Sequence, residues 1–193
     1  MTGPRPVDIS MPLSPGMPVY PGDPPPAFDT WREDGVTLTL ARLSLHAGTH
    51  VDAPLHVLPD GPAAETVPLA SLCGPCCVVQ AGPGVVDEDQ VRAWPLRDRD
   101  RVLVRRGPDG CVFTPGAALA LLERRIRLLG VEDLGPDATG DPALPVHHLL
   151  LFAGVVLLEN LVLSQVASGR WWLTCLGPSL PGREAFWVRA VLS

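Results

Sequence analysis

The chain has 193 residues, 46% of them hydrophobic, with a positive mean hydropathy, so it can bury a core and is not a disordered segment. Its net charge is −6, its fifteen basic residues are all arginine, and no basic stripe stands out. Electrostatic capture of nucleic acid is therefore not expected, and lysine Schiff-base chemistry is excluded. No apolar run reaches the roughly 18 residues that suggest a membrane span, and no charged-then-apolar signal opens the chain. The expectation is a protein with no membrane partner, its five cysteines reduced in a cytoplasm.

Residues 9–26, ISMPLSPGMPVYPGDPPP, hold seven prolines and two glycines and cannot be helical. Their apolar residues and Tyr20 suggest an extended arm packed on the domain rather than a free linker. Residues 36–46, VTLTLARLSLH, alternate for most of their length and predict a strand. Cys73-Gly-Pro-Cys76 resembles a redox pair, but a β-like run follows it, whereas redox motifs open a helix. Residues 76–80 and 102–105 predict short buried strands. Residues 116–129, GAALALLERRIRLL, predict an amphipathic helix capped by Thr114-Pro115. After a loop at 134–145, Pro145 suits the first turn of a second helix over about 146–153, which Gly154 ends. Val155–Glu159 reads as a buried strand, and 171–176 and 186–192 as late strands. Several strands with two helices, out of strict alternation, predict a single mixed-sheet α/β domain spanning 1–193.

The five histidines occupy two places. His46, His50 and His56 lie in HAGTHVDAPLH, and His147 and His148 lie at the head of the second helix. Imidazole and carboxylate suit Zn²⁺ or Mn²⁺, and His46, His50 and Asp52 make three ligands, a catalytic count that leaves room for water. On one straight strand His46 and Asp52 would stand roughly 20 Å apart. A helix would put Asp52 on the far side, and Gly48 and Pro54 oppose it. The remaining option is a strand that ends at His46 and bends at Gly48-Thr49, folding His50 and Asp52 back. Glu159 ends an otherwise apolar strand, so its carboxylate must be exposed, paired or metal-bound.

At these residues the sequence resembles the metal-dependent cyclase superfamily, which includes bacterial kynurenine formamidases and isatin hydrolases. The pattern H-x-G-T-H-x-D-x-P-x-H appears complete as HAGTHVDAPLH at 46–56. HHLLLFAGVVLLENL matches a second element that pairs a histidine with a glutamate twelve residues on, selecting His147 over His148, and ISMPLSPGMPVYPGD is similar to the family's N-terminal arm. The resemblance implies a swivelling β/β/α fold, a homo-oligomer (dimer or tetramer) and two divalent ions, Zn or Mn. His46, His50 and Asp52 would hold one ion, and Asp52 would bridge to a second held by His147 and Glu159. His56 would be the catalytic acid/base and Tyr20 a substrate contact. The implied activity is hydrolysis of a small amide or lactam, formamidase-like. The alternatives are a cyclase or dehydratase acting on a polyketide-like or other biosynthetic intermediate, and a non-catalytic metal-binding module. Tyr20 stands where the formamidases place tryptophan. The stretch 131–138 and the tail around Pro178–Trp187 also depart from the family pattern.

Overall fold

The computed structural model describes residues 5–193, so the first four residues of the expected domain lie outside the described residues. In chain order the elements are β1 (Val7–Asp8), β2 (Ala27–Glu33), β3 (Val36–Arg42), β4 (His50–Asp52), α1 (Leu69–Leu72), β5 (Cys73–Gln80), α2 (Glu88–Ala93) and β6 (Arg101–Arg105). They continue with α3 (Pro115–Glu123), β7 (Leu128–Val131), α4 (Pro145–Phe152), β8 (Val156–Glu159), β9 (Gly169–Leu176), β10 (Ala185–Trp187) and β11 (Arg189–Leu192). Nine strands form one mixed sheet in the order β1-β11-β9-β5-β6-β7-β8-β4-β10. The four central strands β5 to β8 run parallel, and antiparallel strands flank them on both sides.

The apolar runs of β6, β7 and β8 are buried on both faces, as parallel strands require. Val102, Val104, Leu129, Val131 and Leu157 point to one face, where α2, α3 and α4 pack through Val91, Ala117, Leu121, Val146 and Leu150. Leu103, Leu128 and Leu158 point to the other. There they meet Ile9, Val51, Leu173, Cys175, Phe186 and Leu192 from the flanking strands and the chain start. The sheet thus curls over its own second core, and the α/β mixed-sheet expectation holds.

Several boundaries differ from the sequence expectation. The strand read at 36–46 ends at Arg42, because Asp34-Gly35 turns it back on β2 as a two-residue hairpin that stands apart from the main sheet. The helix read at 116–129 ends at Glu123. Thr114 caps it as expected, accepting from the Ala117 amide, but Arg125 adopts φ +50° and Leu128 and Leu129 already alternate across the sheet. Among the described residues there are four α-helices rather than two; α1 and α2 are too short to show a period. The Cys73–Cys76 pair lies within β5, where residues three apart point to opposite faces, and all five cysteines are unbonded. Pro145 opens α4 and Gly154 follows its end at φ +76°, both as expected.

Arg125 holds a left-handed backbone that costs a side-chain-bearing residue about 1–2 kcal/mol. Its side chain makes an exposed ion pair with Asp98, worth at most about 1 kcal/mol. Arg125→Gly is therefore expected to leave stability unchanged or raise it by up to about 1 kcal/mol in thermal and urea unfolding. A clear loss of stability would show that the Asp98 pair outweighs the backbone strain.

Candidate metal centre

The residues singled out in the sequence converge at the C-terminal end of β8. Antiparallel pairing sets His50 opposite Glu159 and Asp52 opposite Leu157, so a three-residue strand delivers two polar side chains to one place. Alternation turns His50 and Asp52 to the same face and buries Val51 on the other. His46 precedes β4 on a turn through Gly48, whose φ of +70° supplies the bend expected there. The chain enters β4 under a clamp from Thr49. Its hydroxyl donates to the Asn160 carbonyl at 2.7 Å and accepts from the Met11 amide at 2.7 Å, tying arm, β4 and the end of β8 together.

The distances are those of one cluster. His46 Nδ1 lies 3.1 Å from His50 Nε2 and 3.1 Å from Asp52 Oδ1. His50 Nε2 lies 3.3 Å from Asp52 Oδ1 and 3.4 Å from Glu159 Oε2. His147 Nε2 lies 3.1 Å from Glu159 Oε1 and 3.7 Å from Asp52 Oδ2. Two sets of donor atoms are close enough to share an ion: His46, Asp52 and His56, and His50, Asp52 and Glu159. Asp52 belongs to both. His56 sits on a 3-10 turn, Pro54–His56, its ring centroid 4.4 Å from that of His46 and 5.7 Å from that of His147.

Second partners orient the rings. His50 Nδ1 donates to the Gly48 carbonyl at 2.8 Å, and His147 Nδ1 donates to Asp137 Oδ2 at 2.6 Å. Each ring thereby turns its Nε2 toward the cluster. Asp137 also accepts from the Val146 and His147 amides at 2.9 Å and so anchors the start of α4. Gly135 makes room beside the site: a Cβ there would lie 3.2 Å from both Glu159 Oε1 and His147 Cε1.

The electrostatics are those of buried carboxylates that require positive charge. Both Asp52 oxygens are buried, and although imidazole nitrogens stand near, none reaches hydrogen-bonding geometry. Such an orphaned carboxylate fits a cation site. Burial opposes charging of His50, yet Asp52 and Glu159 overcome it and hold the imidazole well above its usual range. Burial also opposes ionisation of Asp52, yet His50 and His46 drive its carboxyl well below the usual range. His147 is raised to about 10: its burial is outweighed by Asp137 and Glu159. His56 goes the other way, since burial lowers it more than Asp52 raises it.

The cluster opens onto a cavity of about 180 Å³, lined further by Tyr20, Asp23, Leu134, Pro142 and Leu144. The Tyr20 hydroxyl accepts from the Gly140 amide at 2.8 Å, which pins the arm to the loop before α4. His148 is exposed, in keeping with the preference for His147. The sequence reading passed over two residues. Asp137 falls in the atypical stretch 131–138, and no local capping spacing marks it, because it lies nine residues before Val146. Glu184 Oε1 lies 3.6 Å from His46 Nε2 at the start of β10, and no sequence signal pointed to it. The atypical tail proves structural: β10 covers the free edge of β4, and the Trp187 indole donates to the Ser44 carbonyl at 2.9 Å.

Comparison with known proteins agrees with this geometry. The profile described as Cyclase, putative cyclase, matches residues 7–138. The chain is similar to the kynurenine formamidase of Salinibacter ruber, 37% identical over 204 residues with 96% of each chain covered. The kynurenine formamidase of Bordetella petrii is 35% identical over 202 residues, also covering 96% of each. Among solved structures, a potential metal-dependent hydrolase with cyclase activity superposes with a TM-score of 0.85 at 28% identity, covering 97% of this chain and 96% of that one. Isatin hydrolase A from Labrenzia aggregata shares the fold, with a TM-score of 0.84 at 24% identity over 97% and 93% of the two chains. The profile spans well over half of the sequence, and the chain belongs to the putative cyclase family.

Proposed function

We propose that this chain is a metal-dependent hydrolase of a small amide, opening an N-formyl aryl amide or a lactam at its carbonyl. The observation that carries this reading is Asp52, a buried carboxylate with no hydrogen bond to either oxygen, set between two imidazoles and shared by two donor sets. The full-length kynurenine formamidase relatives support amide hydrolysis as the reaction. His46, His50 and Asp52 would hold one ion, and Asp52 with His147 and Glu159 a second, although the donor atoms that lie nearest one another group as His46, Asp52 and His56, and as His50, Asp52 and Glu159. The mixture of nitrogen and carboxylate donors suits Zn²⁺ or Mn²⁺. Such ions, when bound, polarise a substrate carbonyl and bring water to a reactive state near neutral pH.

The remaining work falls to the protein. Asp137 and the Gly48 carbonyl keep His147 and His50 in one orientation and one tautomer. His56 overhangs the cluster, takes a proton from the water as its oxygen bonds to the carbonyl carbon, and hands that proton to the departing nitrogen as the C–N bond breaks, so that it leaves as an amine. Tyr20, Leu134, Pro142 and Leu144 bound the space where an aryl group sits. No arginine lines this cavity, so an uncharged N-formyl aryl amide is the first assay substrate, with a cyclic lactam beside it. Five unbonded cysteines suit a reducing compartment such as the cytoplasm. No helix among the described residues is long and apolar enough to cross a membrane.

The hairpin supports assembly. On one face of β2–β3, Trp31 pairs with Leu38 beside Val36 and Leu40, and all four are exposed. A lone hairpin is marginal in water, so this face serves as the contact between copies of the chain.

Three measurements test the reading. Metal analysis of protein purified without chelator should give more than one transition ion per chain. His50→Ala should lose most of it and Asp137→Ala should bind it about 10–100-fold more weakly; full retention in His50→Ala would sink the assignment. His56→Ala should keep its metal and fold but turn over about 10²–10⁴-fold more slowly. Loss of metal in that variant would make His56 a ligand instead. Light scattering on a sizing column should give a multiple of 20.5 kDa for the wild type and the single-chain mass for Leu38→Asp/Leu40→Asp. A monomeric wild type would end the assembly proposal.

A further inference from the structure

A second concave surface lies at the opposite end of the sheet, where β5, β6 and β7 begin. Parallel pairing puts Cys76, Arg101 and Leu128 side by side there, while Glu159 and the histidine cluster stand at the far ends of the strands. The groove measures about 440 Å³, and its lining includes Arg97, Arg99, Arg101, Arg127, Arg170 and Trp172. In a chain of net charge −6, this concentration of arginine is a local reversal of sign.

The acidic neighbours do not neutralise it. Asp100 is held by Arg170 through two contacts of 2.6 Å, and Asp98 is taken by Arg125, which does not line the groove. Among the described residues, Arg97, Arg99, Arg101 and Arg127 have no carboxylate partner. Arg101 is only 4% exposed. Its guanidinium donates to the Ser71 carbonyl at 2.7 Å, to the Pro75 carbonyl at 3.2 Å and to the Ala70 carbonyl. Arg127 donates to that same Ala70 carbonyl at 3.1 Å. Carbonyls satisfy donors, but they do not cancel two like charges gathered on one oxygen in a partly buried setting. Gly74 leaves room for the Arg101 guanidinium, since a Cβ there would fall 2.5 Å from its Nη1. Arg99 holds φ +62° in a turn fixed by the Arg97 amide donating to Asp100 Oδ2 at 2.7 Å and by its own amide donating to the Arg124 carbonyl.

We infer that this groove binds an oligophosphate anion, with Arg97, Arg99 and Arg127 on its phosphate oxygens, the buried charge of Arg101 behind them and the exposed face of Trp172 beside them. Planar guanidinium groups match phosphate oxygens two at a time, and several at once suit a multivalent anion better than a single carboxylate. The site is separate from the hydrolytic centre and does not depend on the reading given for it.

Isothermal titration of the purified full chain at low salt, with sodium tripolyphosphate and with ATP, tests the inference. Binding should be saturable, weaken as salt is raised, and fall at least about tenfold in Arg97→Ala/Arg99→Ala, whose exposed positions leave the fold intact by thermal unfolding. Equal affinity for the two anions assigns the phosphates alone. Tighter ATP binding that Trp172→Leu abolishes assigns a nucleotide whose base stacks there, and either result upholds the site. No binding by the wild type overturns the inference, as does undiminished binding in the double variant, which would place the anion on the metals. Tighter binding of a duplex oligonucleotide than of either anion would also overturn it, in favour of a nucleic-acid surface.

Discussion

The arrangement turns on one carboxylate. Asp52 sits fully inside the protein, and its two oxygens find no hydrogen bond. An isolated buried charge of this kind is far too costly to persist by itself, so whatever surrounds it must provide positive charge. Four imidazoles gather within reach, and two of them are locked by carbonyl or carboxylate contacts that leave their other nitrogen facing inward. Glu159 adds a second carboxylate from the neighbouring strand. The side-chain distances of 3.1–3.7 Å are those of ion pairs, and they bring the donor atoms close enough to share a cation.

The scaffold's part is to hold two distant stretches of chain in one register. Thr49 grips the arm through Met11 and the end of β8 through Asn160, so β4 cannot slide without losing both contacts. A slip of one residue along β4 would turn His50 and Asp52 into the apolar layer and Val51 into the site. Val51 is packed against the second core and opposes that slip. Asp137 does for α4 what Thr49 does for β4: one carboxylate caps the helix and fixes a histidine ring.

Much of this was legible in the sequence because the relevant signals are local. HAGTHVDAPLH crowds three of five histidines into eleven positions, and Pro145 and Gly154 bracket α4. Apolar runs at 102–105 and 155–159 identified the buried centre of the sheet. What was lost depends on partners far apart in sequence. Asp137 becomes meaningful only when the loop folds back on Val146, and Glu184 only when β10 lies against β4. The helix at 116–129 was read too long because Arg124–Leu129 keeps an apolar spacing that suits either a helix or the start of β7; a left-handed Arg125 decides between them. The hairpin strand β2 escaped notice because its alternation of aromatic, polar and charged residues faces no core of this chain. The arginine groove was missed for a related reason: Arg97, Arg99 and Arg101 are close in sequence, but Arg127 and Arg170 join them only through the sheet.

The pairing of the chain's ends has a consequence for biosynthesis. β1 pairs with β11, and β4, which carries two of the proposed ligands, is closed on its outer edge by β10. Among the described elements, β10 and β11 come last in chain order, so the strand that covers β4 and the strand that holds β1 follow everything they close. Until then β4 presents an unprotected strand edge, and the nascent chain carries its cluster of histidines on an unfinished sheet. Contacts spanning almost the entire sequence also make for slow folding. The centre is thus completed only once β10 lies against β4. Ions arriving earlier meet separate imidazoles and carboxylates, without the buried field that a completed Asp52 environment supplies.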